Sequence, residues 1–81
     1  MDDLEGWIAA VRERLDLDGE PPDPALILAV AREVRRFVTR PATPVTIYLF
    51  GLAVGHGLPP AEAAARLGLL ARNWPTIDWR D

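Results

Sequence analysis

Apolar side chains recur at helical spacing in the first segment of the chain. Positions three and four residues apart form one stripe: Leu4, Trp7, Ile8, Val11 and Leu15. This pattern predicts an amphipathic helix over about residues 3–17. Asp2, followed three residues later by Glu5, resembles a capping box at the start of this helix.

A second amphipathic helix is predicted over about residues 24–39. It follows a glycine- and proline-containing break at residues 18–22, with Asp23 as N-cap and Pro24 at the first helical position. One side of this helix is apolar: Ile27, Val30, Val34, Phe37 and Val38. These residues are expected to face the core.

The third segment, residues 44–55, has no polar side. Thr43 is a suitable N-cap and Pro44 a suitable first helical residue. A helix that is apolar all round is typically surrounded by other helices. We therefore predict a largely buried third helix, with Ile47, Leu49 and Phe50 in the core. A buried strand is the alternative, because residues 45–50 are rich in β-branched and aromatic side chains.

A fourth helix is predicted over about residues 60–73, after a stop at residues 55–57. Small residues, at 51, 55 and 63–65, are expected to allow close approach between helices. Pro75 ends this helix and is the first residue of a short tail, residues 75–81. Trp74, Ile77 and Trp79 are expected to pack back on the core, and the alternative is that they anchor a partner.

These elements predict an all-α fold, a single-domain bundle of four helices over residues 1–81. The length permits one small domain, and 49% apolar residues with a net charge of −3 favour a collapsed chain over a disordered one. No cysteine is present, so disulfides and thiolate chemistry are excluded. All nine basic residues are arginine, which excludes a Schiff-base lysine and a P-loop lysine.

The acidic N-terminal residues do not resemble a signal or transit peptide. The apolar run in the third segment is about half the length of a membrane crossing. We therefore expect a cytoplasmic location and no membrane partner.

His56 is the one histidine of the sequence and lies between two glycines. A general base or a metal ligand has this loop setting, but a metal site needs further ligands and a catalytic base needs an orienting carboxylate. We therefore expect His56 to cap the carbonyl end of the third helix, and we predict no catalytic residue, no metal site and no cofactor.

Charge is distributed unevenly along the chain. Residues 1–23 carry eight acidic and two basic side chains, whereas residues 24–40 carry one acidic and four basic ones. Arg36, Arg40 and Thr43 could together hold a phosphate or carboxylate, since arginine forks and helix-start N–H groups both bind anions. The alternative is a solvated face whose arginines pair with Asp16, Asp18 or Glu20.

Recognition of DNA by a helix-turn-helix is disfavoured. The fourth helix offers only Arg66 and Arg72 to phosphates, and the chain is acidic overall. We predict no nucleic-acid partner.

The segment from Arg40 to Gly55, with Trp7 and the run from Ala61 to Leu67, resembles a small uncharacterised helical domain of high-GC bacteria. That domain occurs alone or attached to molybdenum-cofactor guanylyltransferases, and the resemblance extends over about residues 4–74. The transferase's glycine-rich loop and lysine are absent, so the resemblance implies a context and no catalytic residue.

Two functions are consistent with these observations. The first is a non-catalytic accessory or protein-interaction module, linked through the resemblance to molybdenum-cofactor biosynthesis, with a protein partner such as a molybdenum-cofactor enzyme. The second is a binder of a phosphate- or pterin-type anion at Arg36, Arg40 and Thr43. Self-association is compatible with both.

Overall fold

A computed structural model describes residues 3–20 and 23–75 of the chain. These residues form four helices and no strand, which confirms the all-α prediction and excludes the buried strand at residues 45–50. The helices are α1 (Asp3–Arg14), α2 (Pro24–Phe37), α3 (Ala42–Gly55) and α4 (Pro60–Arg72). Asp2, Ile77 and Trp79 lie outside the described residues, so the predictions on them stay open.

The core lies between α2, α3 and α4. Its centre is a cluster of four buried residues: Val30, Val34, Phe50 and Ala63. Leu26, Ile47, Leu58 and Leu67 are among the partly buried residues packed around it. The apolar side predicted for α2 is therefore confirmed at Ile27, Val30, Val34 and Val38, whereas Phe37 is only partly buried and is not part of the cluster.

Helix α1 lies apart from this core. It packs against none of the other three described helices, and none of its residues is buried. Trp7 is 68% exposed, so the amphipathic stripe is present but has no helix to cover it.

The start of α2 and the end of α3 lie where the sequence predicts them. The Asp23 carboxylate accepts a hydrogen bond from the Ala25 N–H at 3.0 Å, with Pro24 at the first position of α2, as predicted. Helix α3 ends in a Schellman motif, in which Gly57 takes a φ of 109° and the Leu58 N–H donates to the Ala53 carbonyl at 3.0 Å. Glycine suits this position because side chains disfavour positive φ.

The prediction of a largely buried third helix is wrong. Phe50 is 6% exposed and Ile47 is half-buried, but Leu49 is 54% exposed. The physical reason is the number of neighbours. Because α1 does not pack on α3, only α2 and α4 cover it, and they reach one side.

The prediction for the small residues is confirmed at Ala63, which is buried in the core cluster, and is wrong at residues 51 and 55. Gly51 and Gly55 are exposed, and a Cβ atom added to either would meet no atom within 4 Å. The close approach is at Gly68 of α4, where an added Cβ would lie 3.2 Å from Glu33 Oε1 of α2. The small residues Ala63 and Ala71 are buried on the same helix.

The contrast between two neighbouring residues of α3 tests this packing. Phe50→Ala should lower the free energy of unfolding by about 3–5 kcal/mol, because it empties the centre of the core. Leu49→Ala should change it by less than about 1 kcal/mol at low protein concentration, because an exposed position loses little. Urea unfolding, monitored by circular dichroism, measures the free energy of unfolding of both variants. Equal decreases in the two variants would show that α3 is covered on both sides.

Candidate functional site

The exposed side of α3 is a continuous apolar surface. Four large side chains at positions i, i+3, i+4 and i+7 project from it, and we call them the α3 face: Val45, Tyr48, Leu49 and Leu52. Each is at least 43% exposed, and Tyr48 is 68% exposed. Helix α3 contains no charged residue, so nothing on this helix interrupts the face.

Phe50 and the α3 face are positioned by the same helical geometry. Phe50 points into the core from the opposite side of the helix, and its burial therefore fixes the rotation of α3 about its axis. Gly51 and Gly55 flank the α3 face without side chains. Single exposed apolar residues are ordinary, and it is the contiguity of these four side chains that makes the α3 face a candidate binding surface.

A second exposed apolar surface lies on α1. Trp7, Ala10, Val11 and Leu15 line a shallow groove there together with Arg14, and we call the four apolar residues the α1 face. Like the α3 face it combines an aromatic ring with aliphatic side chains, a composition common in interface cores.

The arginines of α2 form a basic surface on its outer side. Arg32, Arg35 and Arg36 line a shallow groove with Glu33. The Glu33 carboxylate is already bound to the Arg72 guanidinium of α4, and the Arg36 guanidinium lies 5.2 Å from the centre of the Phe37 ring. Among the described residues none of the three arginines, nor Arg40, forms an ion pair with Asp16, Asp18 or Glu20.

Arg40 and Thr43 lie in one turn at the start of α3. The Thr43 N–H donates to the Arg40 carbonyl at 3.0 Å. Arg36 is on the preceding helix, in the basic groove described above. An anion site formed by the three residues stays a prediction.

Thr43 is not the N-cap of α3, contrary to the prediction. The helix begins at Ala42, and the Thr43 hydroxyl donates to the Thr39 carbonyl at 3.4 Å. Thr39 supplies the capping oxygen instead, because its Oγ1 accepts from the Ala42 N–H at 3.3 Å. The chain turns into the helix before Pro44, whose missing N–H costs nothing in the first turn.

His56 lies at the carbonyl end of α3, as predicted. Its backbone N–H donates to the carbonyls of Leu52 at 3.0 Å and Ala53 at 3.1 Å, and the residue is exposed. Within residues 3–20 and 23–75, no three histidine, aspartate or glutamate side chains come together as a metal site would require. No described helix combines the length and apolar content that a membrane crossing needs.

Sequence reasoning missed the α3 face, although a signal was present. An apolar helix needs neighbours on all sides, and a chain of 81 residues has few helices to supply them. Trp74, expected to pack back on the core, is 51% exposed.

Comparison with protein families gave one match, to a model described as a domain of unknown function (DUF6457), over residues 1–79. A search of curated proteins and a search of solved structures each found no match.

The capping role of Thr39 can be tested by substitution. Thr39→Ala should lower the free energy of unfolding by about 1 kcal/mol, because the Ala42 N–H loses its acceptor, and Thr39→Ser should restore most of this loss. Thermal and urea unfolding measure the stability of both variants. A Thr39→Ser variant no more stable than Thr39→Ala would contradict the assignment of the cap.

Proposed function

The chain belongs to the DUF6457 family, and from this premise we propose that it is a non-catalytic protein-interaction module. The observation that carries the proposal is the α3 face, an uncharged surface of four large side chains on a helix whose opposite side is fixed in the core. Tyr48 at its centre is of the type enriched among residues that dominate binding energy.

The rigidity of α3 supports this role. Its end is fixed by the Schellman motif at Gly57, and its rotation is fixed by Phe50. A surface that is already in its binding conformation loses little conformational entropy when a partner docks.

The resemblance described above gives the proposal a context. We propose that the partner is a molybdenum-cofactor enzyme, with a molybdenum-cofactor guanylyltransferase as the first to test. In this proposal the domain contributes a docking surface and the enzyme contributes the chemistry.

The test measures, by calorimetry, the affinity of the whole chain for a purified guanylyltransferase. Tyr48→Ala should weaken binding at least about tenfold, since a central aromatic contact contributes about 1.4 kcal/mol or more. Leu70→Ala is the matched control, because Leu70 is exposed to a similar degree but lies on α4. Equal affinity in wild type and Tyr48→Ala would exclude the α3 face as the docking surface.

A second candidate function, binding of a phosphate- or pterin-type anion, is favoured by the basic groove on α2. Arg32, Arg35 and Arg36 line it, and the carboxylate of Glu33, which lies among them, is engaged by Arg72. Arg40 lies in the turn immediately after α2. Guanidinium groups without carboxylate partners are suited to phosphate.

Replacement of Arg36 and Arg40 with glutamine should abolish calorimetric binding of pyrophosphate and of molybdopterin. Binding by the wild type should also weaken as salt is raised, because surface charges are screened over about 8 Å at physiological ionic strength. Arg66→Gln on α4 is the control, since Arg66 pairs with Glu62. Unchanged binding in the double variant would exclude Arg36 and Arg40 as the site.

A further inference from the structure

We propose that the α1 face of one chain packs on the α3 face of a second copy, and that the α1 face of the second copy packs on the α3 face of the first. We call this reciprocal arrangement the exchange. The product is a dimer with two-fold symmetry. The inference rests on the proposed function in one respect, that the α3 face is a docking surface. The second copy and the guanylyltransferase exclude each other on that face, so the enzyme would bind the dissociated chain.

Both faces belong to the same chain and both lack a covering helix. In the described residues α1 packs on no other helix, and α3 is covered on one side. The two helices have similar lengths, 12 and 14 residues, or roughly 18 and 21 Å. A reciprocal exchange covers both faces of both chains and leaves neither face free for a third copy, as is typical of isologous interfaces.

Local hydrogen bonds define the end of α1. Asp16 takes a φ of 55°, and the Leu17 N–H donates to the Arg12 carbonyl at 2.9 Å, which is a Schellman motif. The Arg12 guanidinium also donates to the Gly19 carbonyl at 2.7 Å. These bonds hold residues 16–19 at the C-terminal end of α1, next to the α1 face.

Charge complementarity favours an antiparallel arrangement of α1 on α3. Residues 13–20, which include the last two residues of α1 and the segment after it, carry Glu13, Asp16, Asp18 and Glu20 against Arg14. Arg40 lies immediately before α3 and is without an ion pair in the described residues. Antiparallel packing brings the acidic segment of one chain beside Arg40 of the other and also opposes the two helix dipoles.

The shapes of the two faces are compatible with close packing. Gly51 and Gly55 leave open space beside the α3 face, so the backbone of an incoming helix can approach. Trp7 on one side and Tyr48 on the other are each 68% exposed, and each would lose this exposure to water in the dimer.

Light scattering after gel filtration, over a range of protein concentrations, tests the proposal. The wild type should reach twice the mass of one chain. Trp7→Glu and Leu49→Glu should each raise the dissociation constant of the dimer at least about tenfold, since each places a charge in an apolar interface. Leu70→Glu on α4 is the matched control and should change the dissociation constant of the dimer by less than about twofold.

Each alternative arrangement gives a different result. A wild type that is monomeric at every concentration overturns the proposal, including the case in which α1 folds onto its own α3. A dimer that survives Leu49→Glu indicates pairing between α1 helices, and one that survives Trp7→Glu indicates pairing between α3 helices. Circular dichroism checks that each variant keeps its helices.

Crosslinking tests the contact directly, because the chain has no cysteine. Ala10→Cys and Leu52→Cys, made in separate chains, should crosslink through a flexible bis-maleimide when mixed, and neither should crosslink efficiently alone. Efficient crosslinking of either variant alone, or none in the mixture, overturns the exchange. Failure to bind the guanylyltransferase would leave these results unaffected, so the two proposals fail separately.

Discussion

The packing of α2 against α4 around Val34 and Ala63 is the contact on which the rest of the structure depends. Gly68 brings the two helices close, and the Glu33–Arg72 ion pair joins them at the same place. Helix α3 then adds Phe50 from one side and completes the core. Because this core needs only three helices, α1 is left outside it.

The two apolar faces follow from that arrangement. A cluster of three helices covers each member on one side, so a helix that is apolar all round must show its other side to solvent. Helix α3 is such a helix, and α1 does not pack against it in the described part of the chain. The same geometry thus builds the core and leaves an exposed apolar surface. The proposed interaction module and the proposed dimer both use the surface that the core leaves free.

Local sequence signals predicted the helices well, and the packing between them poorly. Asp23 with Pro24 and the stop at Gly57 were read correctly, because caps and positive-φ glycines depend on a few neighbouring residues. Thr43 is not the cap because α3 begins before it, at Ala42, whose N–H donates to Thr39 Oγ1. The burial of Leu49 was misjudged because it depends on where a distant helix, α1, is placed, and periodicity carries no information on that. The α3 face was missed for the same reason, whereas the arginines of α2 could be found from charge alone.

The small size of the core links the folding of this domain to its assembly. Five apolar residues are buried in the described part of the chain: Val30, Val34, Phe50, Ala63 and Ala71. Cores of domains this small supply little stability by themselves, and anything that binds only the folded state adds to it by mass action. Under the proposed function, the folded fraction of such a domain would rise with the concentration of its partner, and the unpartnered chain would be the form most open to proteolysis.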